Sequence, residues 1–253
     1  MEHKVKRKLT IRSVLSFLVI LVLIRQIFLG NYENIFTCCL TLILFCIPVF
    51  VDKHMGIDLP PLLEKIILCF IFSAEILGEI NSFYTIIPFW DTILHVINGF
   101  LMAAIGFSLV DIFNRSEHFA LELSPLFVAL VAFCFSMTIG ILWEFFEWTM
   151  DMFFAMDMQK DAIVTSINSV IFNAQGLNIT EHVEINSLVV NGEDWLGKYG
   201  GYIDVGLFDT MKDLFVNFIG AVVFSVIGYF YIKSRGKGEF AKQFIPVVKE
   251  NEE

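Results

Sequence analysis

Charge is scarce in this chain. Only 17% of its 253 residues are Asp, Glu, Lys or Arg, whereas a soluble domain carries about 25%. A surface cannot be made polar with so few, so the composition excludes an ordinary soluble enzyme, a nucleic-acid binder and a disordered chain. Other features are missing too. None of the long apolar stretches alternates with period two, which argues against a β-barrel. No serine nucleophile motif is present. No A-x-A-like cleavage site follows the first apolar run, so that run reads as an uncleaved helix and not as a signal peptide. The five cysteines, Cys38, Cys39, Cys46, Cys69 and Cys134, all fall in apolar stretches, as core or lipid-facing residues and not as a disulfide framework.

What is present is apolar. Hydrophobic residues make up 57%, with 28 phenylalanines, and the mean hydropathy is +0.72. Six stretches approach the roughly 20 residues that cross a bilayer as a helix: 11–30, 34–51, 62–80, 90–110, 125–148 and 211–232. The expected fold is all-α, a polytopic membrane bundle of about six helices. Residues 1–232 form one integral membrane domain and 233–253 a cytoplasmic tail. Basic residues set the orientation. With both termini inside, 13 Lys and Arg fall on the inner side and 3 on the outer: Lys160, Lys198 and Lys212. The expected location is therefore the cell inner membrane, N-in and C-in. The 149–208 connection lies outside, and Asn191-Gly192 within it reads as a short β-hairpin. Asn114-Arg115-Ser116 and Asn178-Ile179-Thr180 match the glycosylation sequon, a short pattern common by chance.

Ionisable residues within spans are costly and mark functional sites. Here they cluster at one depth. Asp91 and His95 are spaced i, i+4 at the start of the fourth span. Glu144, Glu147 and Asp151 follow i, i+3, i+7 at the end of the fifth. Asp209, Asp213 and Asn217 follow i, i+4, i+8 at the start of the sixth. Each set lies along one helix face, and the topology places all three near the outer surface. Six carboxylates there need protons or a cation to coexist. Carboxylates with one imidazole suit Mg²⁺, Mn²⁺, Ca²⁺ or Zn²⁺. The expected metal ligands are Asp91, His95, Glu144 and Asp213, with Glu147 or Asp209 as a catalytic base. Trp90, Trp143 and Trp148 read as interfacial anchors, and Gly99 and Gly220 as points of close helix packing. Glu75 and Glu79 close the third span. They suggest a parallel repeat in which the pair of spans three and four matches the pair five and six.

Three segments carry a resemblance. Tyr84–Gly99, containing Asp91 and His95, resembles the D-x3-H segment of the YjdF-like family of bacterial inner-membrane proteins. Trp143-Glu144-Phe145-Phe146-Glu147-Trp148 resembles its W-E-x2-E segment. Gly201–Ala221, containing Asp209, Asp213, Asn217 and Gly220, resembles its final D-x3-D segment. A more distant similarity is to VanZ-like envelope proteins, through Asp91/His95, Glu144 and Asp213/Asn217. The arginine expected shortly before the last aspartate has no equivalent here. The resemblance implies a multi-spanning inner-membrane fold and a shared motif, and no reaction. Three functions fit these residues. One is a metal-dependent enzyme acting on a lipid or envelope precursor. Another is a non-catalytic envelope protein with a structural acidic cluster. The third is a cation or proton-coupled transporter, which the apolar inner halves of the spans disfavour. Membrane lipids are the expected partners, and no nucleic acid is expected.

Overall fold

A computed structural model describes residues 10–54, 57–115, 123–234 and 236–248. Lys4, Lys6, Arg7, Lys8, Arg235 and Lys249, and Ser116 of the first sequon, lie outside the described residues. Two compact units are distinguished, Met1–Gly140 with Phe215–Glu253, and Ile141–Leu214.

The first unit is helical. Helix α1, Ile11–Leu29, starts where Thr10 caps the Ser13 amide and stops at Gly30, whose φ of 69° suits glycine. Asn31 caps α2, Tyr32–Leu44, and α3, Ile47–His54, extends it. A short strand β1, Ile57–Asp58, precedes α4, Pro61–Ile71, which begins with proline at its first position. The helix then loosens into a π segment, Phe72–Ile80. Its end is held by Asn81, whose backbone N–H and side-chain amide both donate to the Ile76 carbonyl. After the single turn α5, Phe83–Ile86, come α6, Trp90–Arg115, and α7, Pro125–Phe154.

Among the described residues, five helices are long and apolar enough to cross a membrane: α1, Tyr32–His54, Trp90–Asp111, α7 and the later Leu207–Lys233. The expected third span, 62–80, is helical throughout. It changes from α to π geometry at Phe72, so neither piece is long enough alone. The chain is thus mostly helical.

The second unit holds small antiparallel ladders. Strand β2, Ile163–Val164, pairs outward across the unit with Tyr202–Ile203. Strands β3, Ser166–Ser169, and β4, Glu181–Glu184, pair with each other. Strands β5, Val189–Val190, and β6, Glu193–Asp194, form the hairpin expected at Asn191-Gly192. Both turn residues have positive φ, 52° and 84°, as a two-residue type I′ turn requires. After α8, Trp195–Tyr199, and β7, Tyr202–Ile203, the chain enters α9, Leu207–Lys233. Helix α10, Glu239–Lys242, and β8, Val247–Val248, which pairs with β1, close the first unit.

Candidate functional site

The site begins with a backbone contact. A Cβ added at Gly99 on α6 would overlap the carbonyl of Asn217 on α9, and one at Gly220 on α9 would overlap the carbonyl of Val96 on α6. Each helix therefore presses its own glycine against the other's main chain, the close packing expected of Gly99 and Gly220. Further along, Gly228 meets the Phe107 ring. The pairs 99/217 and 107/228 advance in the same sense, so α6 and α9 run parallel here. Helix α7 joins the crossing through Gly140, where a Cβ would lie 2.8 Å from the Asn217 amide nitrogen.

Polar groups are satisfied at this crossing. The Ser136 hydroxyl donates to the Gly99 carbonyl at 2.8 Å. The Asn98 amide donates to Asn217 Oδ1 at 3.1 Å, and the Asn217 amide lies 3.7 Å from Met137 Sδ. Asn217 is 1% exposed, so its bonds are made where water is not available to replace them. Asn98 and Ser136 had no expected role. The paired signals Asn98-Gly99 and Asn217-x2-Gly220 were visible in the sequence, but nothing in one helix says which neighbour it will face.

Parallel packing in this register carries the acidic residues together. His95 is one turn before Gly99, and Asp213 one turn before Asn217. Asp91, His95 and Asp213 each present one ligand-capable atom, and the three atoms all lie within 4.8 Å of one another. His95 Nε2 stands 3.4 Å from Asp91 Oδ1. Asp213 is buried at 1% exposure, while the Asp91 side chain keeps 24%. Two carboxylates and an imidazole within this span can receive a divalent ion, since ligand distances near 2.0–2.6 Å allow ligand atoms about 3–5 Å apart.

The other expected residues are placed differently. Glu144 and Glu147 on α7 are both buried and are outside that group of three. Glu147 accepts from the Trp143 indole at 2.8 Å, so this indole has a carboxylate partner. Asp151 accepts the backbone amides of Met158 and Gln159 at 2.6 and 2.8 Å. Asp209 accepts the Lys160 amide at 2.8 Å and lies 3.1 Å from Lys212 Nζ. Lys212 Nζ is also 3.5 Å from Asp213 Oδ1. Asp204, which was given no role, accepts the amides of Ala162 and Phe208 at 2.7 and 2.8 Å. Burial alone would oppose its ionisation, but those N–H groups and that of Gly206 outweigh it and hold its carboxyl below the ordinary value. Three carboxylates thereby hold one strap of chain, 158–162. Gln159 also donates to the Thr210 hydroxyl at 2.5 Å. Glu75 is half-buried and Glu79 exposed, and neither belongs to the group.

No solved structure matches this chain. It is 28% identical over 104 residues to an "Uncharacterized protein" of Thermotoga maritima, a stretch covering 41% of this chain and 52% of that one. The chain thus spans about half the length of the relative it matches. The family described as "Predicted membrane protein (DUF2238)" matches residues 10–234. Five helices long and apolar enough to cross a membrane agree with that description, and the chain belongs to this family of multi-pass membrane proteins.

Proposed function

We propose that this membrane protein holds a divalent cation at Asp91, His95 and Asp213, with Glu144 as a further ligand, and acts on a lipid or envelope precursor. The observation that carries the reading is the convergence of three ligand atoms, two from α6 and one from α9, within 4.8 Å. A cation bound there would lower the pKa of water and draw charge from a phosphoryl or acyl oxygen. Glu147 is the better candidate base, because the oxygens of Asp209 are engaged by Lys160 N–H and Lys212. In this role Glu147 takes the proton of the attacking water and returns it to the leaving oxygen. The excess of basic residues in the inner segments supports an outward-facing site and cytoplasmic termini.

A second reading is favoured by Lys212. Its ammonium lies within 3.5 Å of Asp213 and within 3.1 Å of Asp209. In that reading the lysine supplies the positive charge, and the cluster is structural. Metal analysis of the purified protein after equilibration with Mg²⁺, Mn²⁺, Ca²⁺ and Zn²⁺ separates the two. The cation reading expects about one ion per chain, lost in Asp213→Asn, and retained or tightened in Lys212→Gln. No bound ion in the parent under any of the four overturns it. Cysteines placed at Ser187 and Ser234 test the sidedness, since only the first should react with an impermeant maleimide in intact cells.

A further inference from the structure

Where α7 ends and α9 begins, three carboxylates are turned inward and apolar side chains outward. Asp151, Asp204 and Asp209, the residues from which a water-facing surface would be built, point inward to the backbone amides of the 158–162 strap. The large apolar residues at the same level point outward. Met152, Phe153 and Phe154 end α7 at 64%, 71% and 65% exposure, and Leu207, Phe208 and Met211 begin α9 at 64%, 57% and 58%. An exposed apolar surface this continuous marks a membrane or partner contact and not a hydrated helix end.

The helix lengths fit the same account. Helix α7 has 30 residues and α9 has 27. At a rise of about 1.5 Å per residue they are roughly 45 and 40 Å long. That matches a whole bilayer with its headgroup layers, about 40–45 Å, and exceeds the hydrocarbon core of about 30 Å. The terminal turns therefore occupy the headgroup layer without needing to project into water.

We propose that the C-terminal end of α7 and the N-terminal end of α9 are seated in the lipid headgroup layer. Glu144, Glu147 and Asp213 then lie beneath it and are reached sideways from lipid. The occupant of the exposed apolar face is bilayer lipid, because this face continues the lipid-facing surfaces of two membrane-spanning helices. Depth along the helices follows from residue counts. Glu144 is ten residues from the end of α7, about 15 Å, and Asp213 is six from the start of α9, about 9 Å. The headgroup layer on one side is only about 5–7 Å thick. A ligand for these carboxylates is accordingly an amphiphile whose phosphate or ester sits at glycerol depth, not a freely soluble metabolite. Only this identification of the ligand rests on the proposed function; the seating of the helix ends stands apart from it.

The test uses the full chain in lipid nanodiscs, with its native cysteines replaced and single cysteines introduced as Phe153→Cys or Phe208→Cys. Each carries an environment-sensitive fluorophore. Quenching by phosphatidylcholine brominated high on the acyl chain is compared with quenching by aqueous iodide. The expected result is lipid quenching several-fold stronger than iodide quenching at both positions. Iodide quenching that exceeds lipid quenching at either position would overturn the proposal. So would protection from both quenchers, which would mean that a second copy of the chain covers the face. Metal content measured on the same samples, with and without Asp213→Asn, keeps the two ideas apart. Absence of metal with retained lipid quenching would sink only the cation site. Iodide quenching with metal retained would sink only the seating in lipid.

Discussion

Helices α1 and α6 are both apolar spans of similar length, yet they are used differently. Helix α1 buries 11% of its most apolar window and α6 buries 44%. Helix α1 contacts its neighbours through side chains such as Val19, set in a small cluster with Cys38, Phe45 and Leu68. Helix α6 contacts α9 through its main chain at Gly99 and through Leu101, Ala103, Ala104 and Phe107 in the larger cluster. His95 and Asp91 of α6 sit beside that crossing, one and two turns away. In lipid, where apolar side chains gain little by leaving their surroundings, tight backbone approach and polar bonds supply the association. The difference teaches that depth of packing, more than hydrophobicity, marks the part of this bundle in which the Asp91, His95 and Asp213 cluster is gathered.

The largest effect should come from breaking the crossing. Gly99→Ala and Gly220→Ala each force a Cβ into a carbonyl that belongs to a helix and cannot swing aside. Each should cost about 1–3 kcal/mol or more, read as a fall in the thermal midpoint in detergent. A loss as small as that of an exposed α1 substitution would remove the contrast between the two helices.

The next effect concerns the cation. If Asp91, His95 and Asp213 hold an ion at about a hundred times its dissociation constant, EDTA should lower the midpoint by about 5–10 °C. Asp213→Asn should abolish that response. A parent indifferent to EDTA would assign the cluster to Lys212 instead.

The third effect is a pH dependence in the 158–162 strap. Asp204 has a folded pKa held below its ordinary value by Ala162, Phe208 and Gly206 amides, against the opposing pull of burial. Its contribution is therefore complete above the unfolded pKa and is lost as pH falls through the folded one. Asp161 works with the opposite sign. Burial first, then the charges of Asp157, Asp204 and Asp151, push its carboxyl up, so its contribution is present at low pH and fades as pH rises through the folded value. Amide exchange across the strap should accelerate between pH 7 and ~3, after correction for intrinsic rates. Asp204→Asn should show the faster exchange already at pH 7 and little further change from this carboxyl.

Smaller still is Gly192→Ala, which imposes a side chain on a φ of 84° with open space around it. The strain alone should cost about 1 kcal/mol, seen as faster exchange in the hairpin. Ile20→Ala on the exposed face of α1 should change the midpoint least, within about 0.5 kcal/mol.

Much of this architecture was legible in the sequence because lipid enforces simple rules. Apolar length gave the long helices, and Asn191-Gly192 gave its turn. Equal depth along the chain put Asp91, His95, Glu144 and Asp213 forward as one set, and of these Asp91, His95 and Asp213 present ligand-capable atoms within 4.8 Å of one another. The break at Phe72 was not legible, since a π segment depends on local fit. There Gly78 is pressed against the Tyr84 ring, and an extra residue per turn accommodates the approach. Nor was the engagement of Asp151 and Asp209 foreseen. Their partners are backbone amides of the strap, and a main-chain N–H leaves no trace in residue identity. Spacing placed Glu144, Glu147, Asp151, Asp209 and Asp213 in stripes, but only the folded chain distinguishes carboxylates that hold a strap from those left near His95.

The mutual glycine contact of α6 and α9 has an evolutionary consequence. The frame relies on Gly99 and Gly220, residues with no side-chain chemistry, whereas Asp91, His95 and Asp213 carry reactive groups that the frame does not use. Two inheritances are thereby uncoupled. Under the proposed cation reading, a lineage could exchange its ligands, an aspartate for a histidine or a glutamate, and so change ion or reaction while retaining the same scaffold. An engineer could do likewise, treating positions 91, 95 and 213 as interchangeable sockets on a fixed mount.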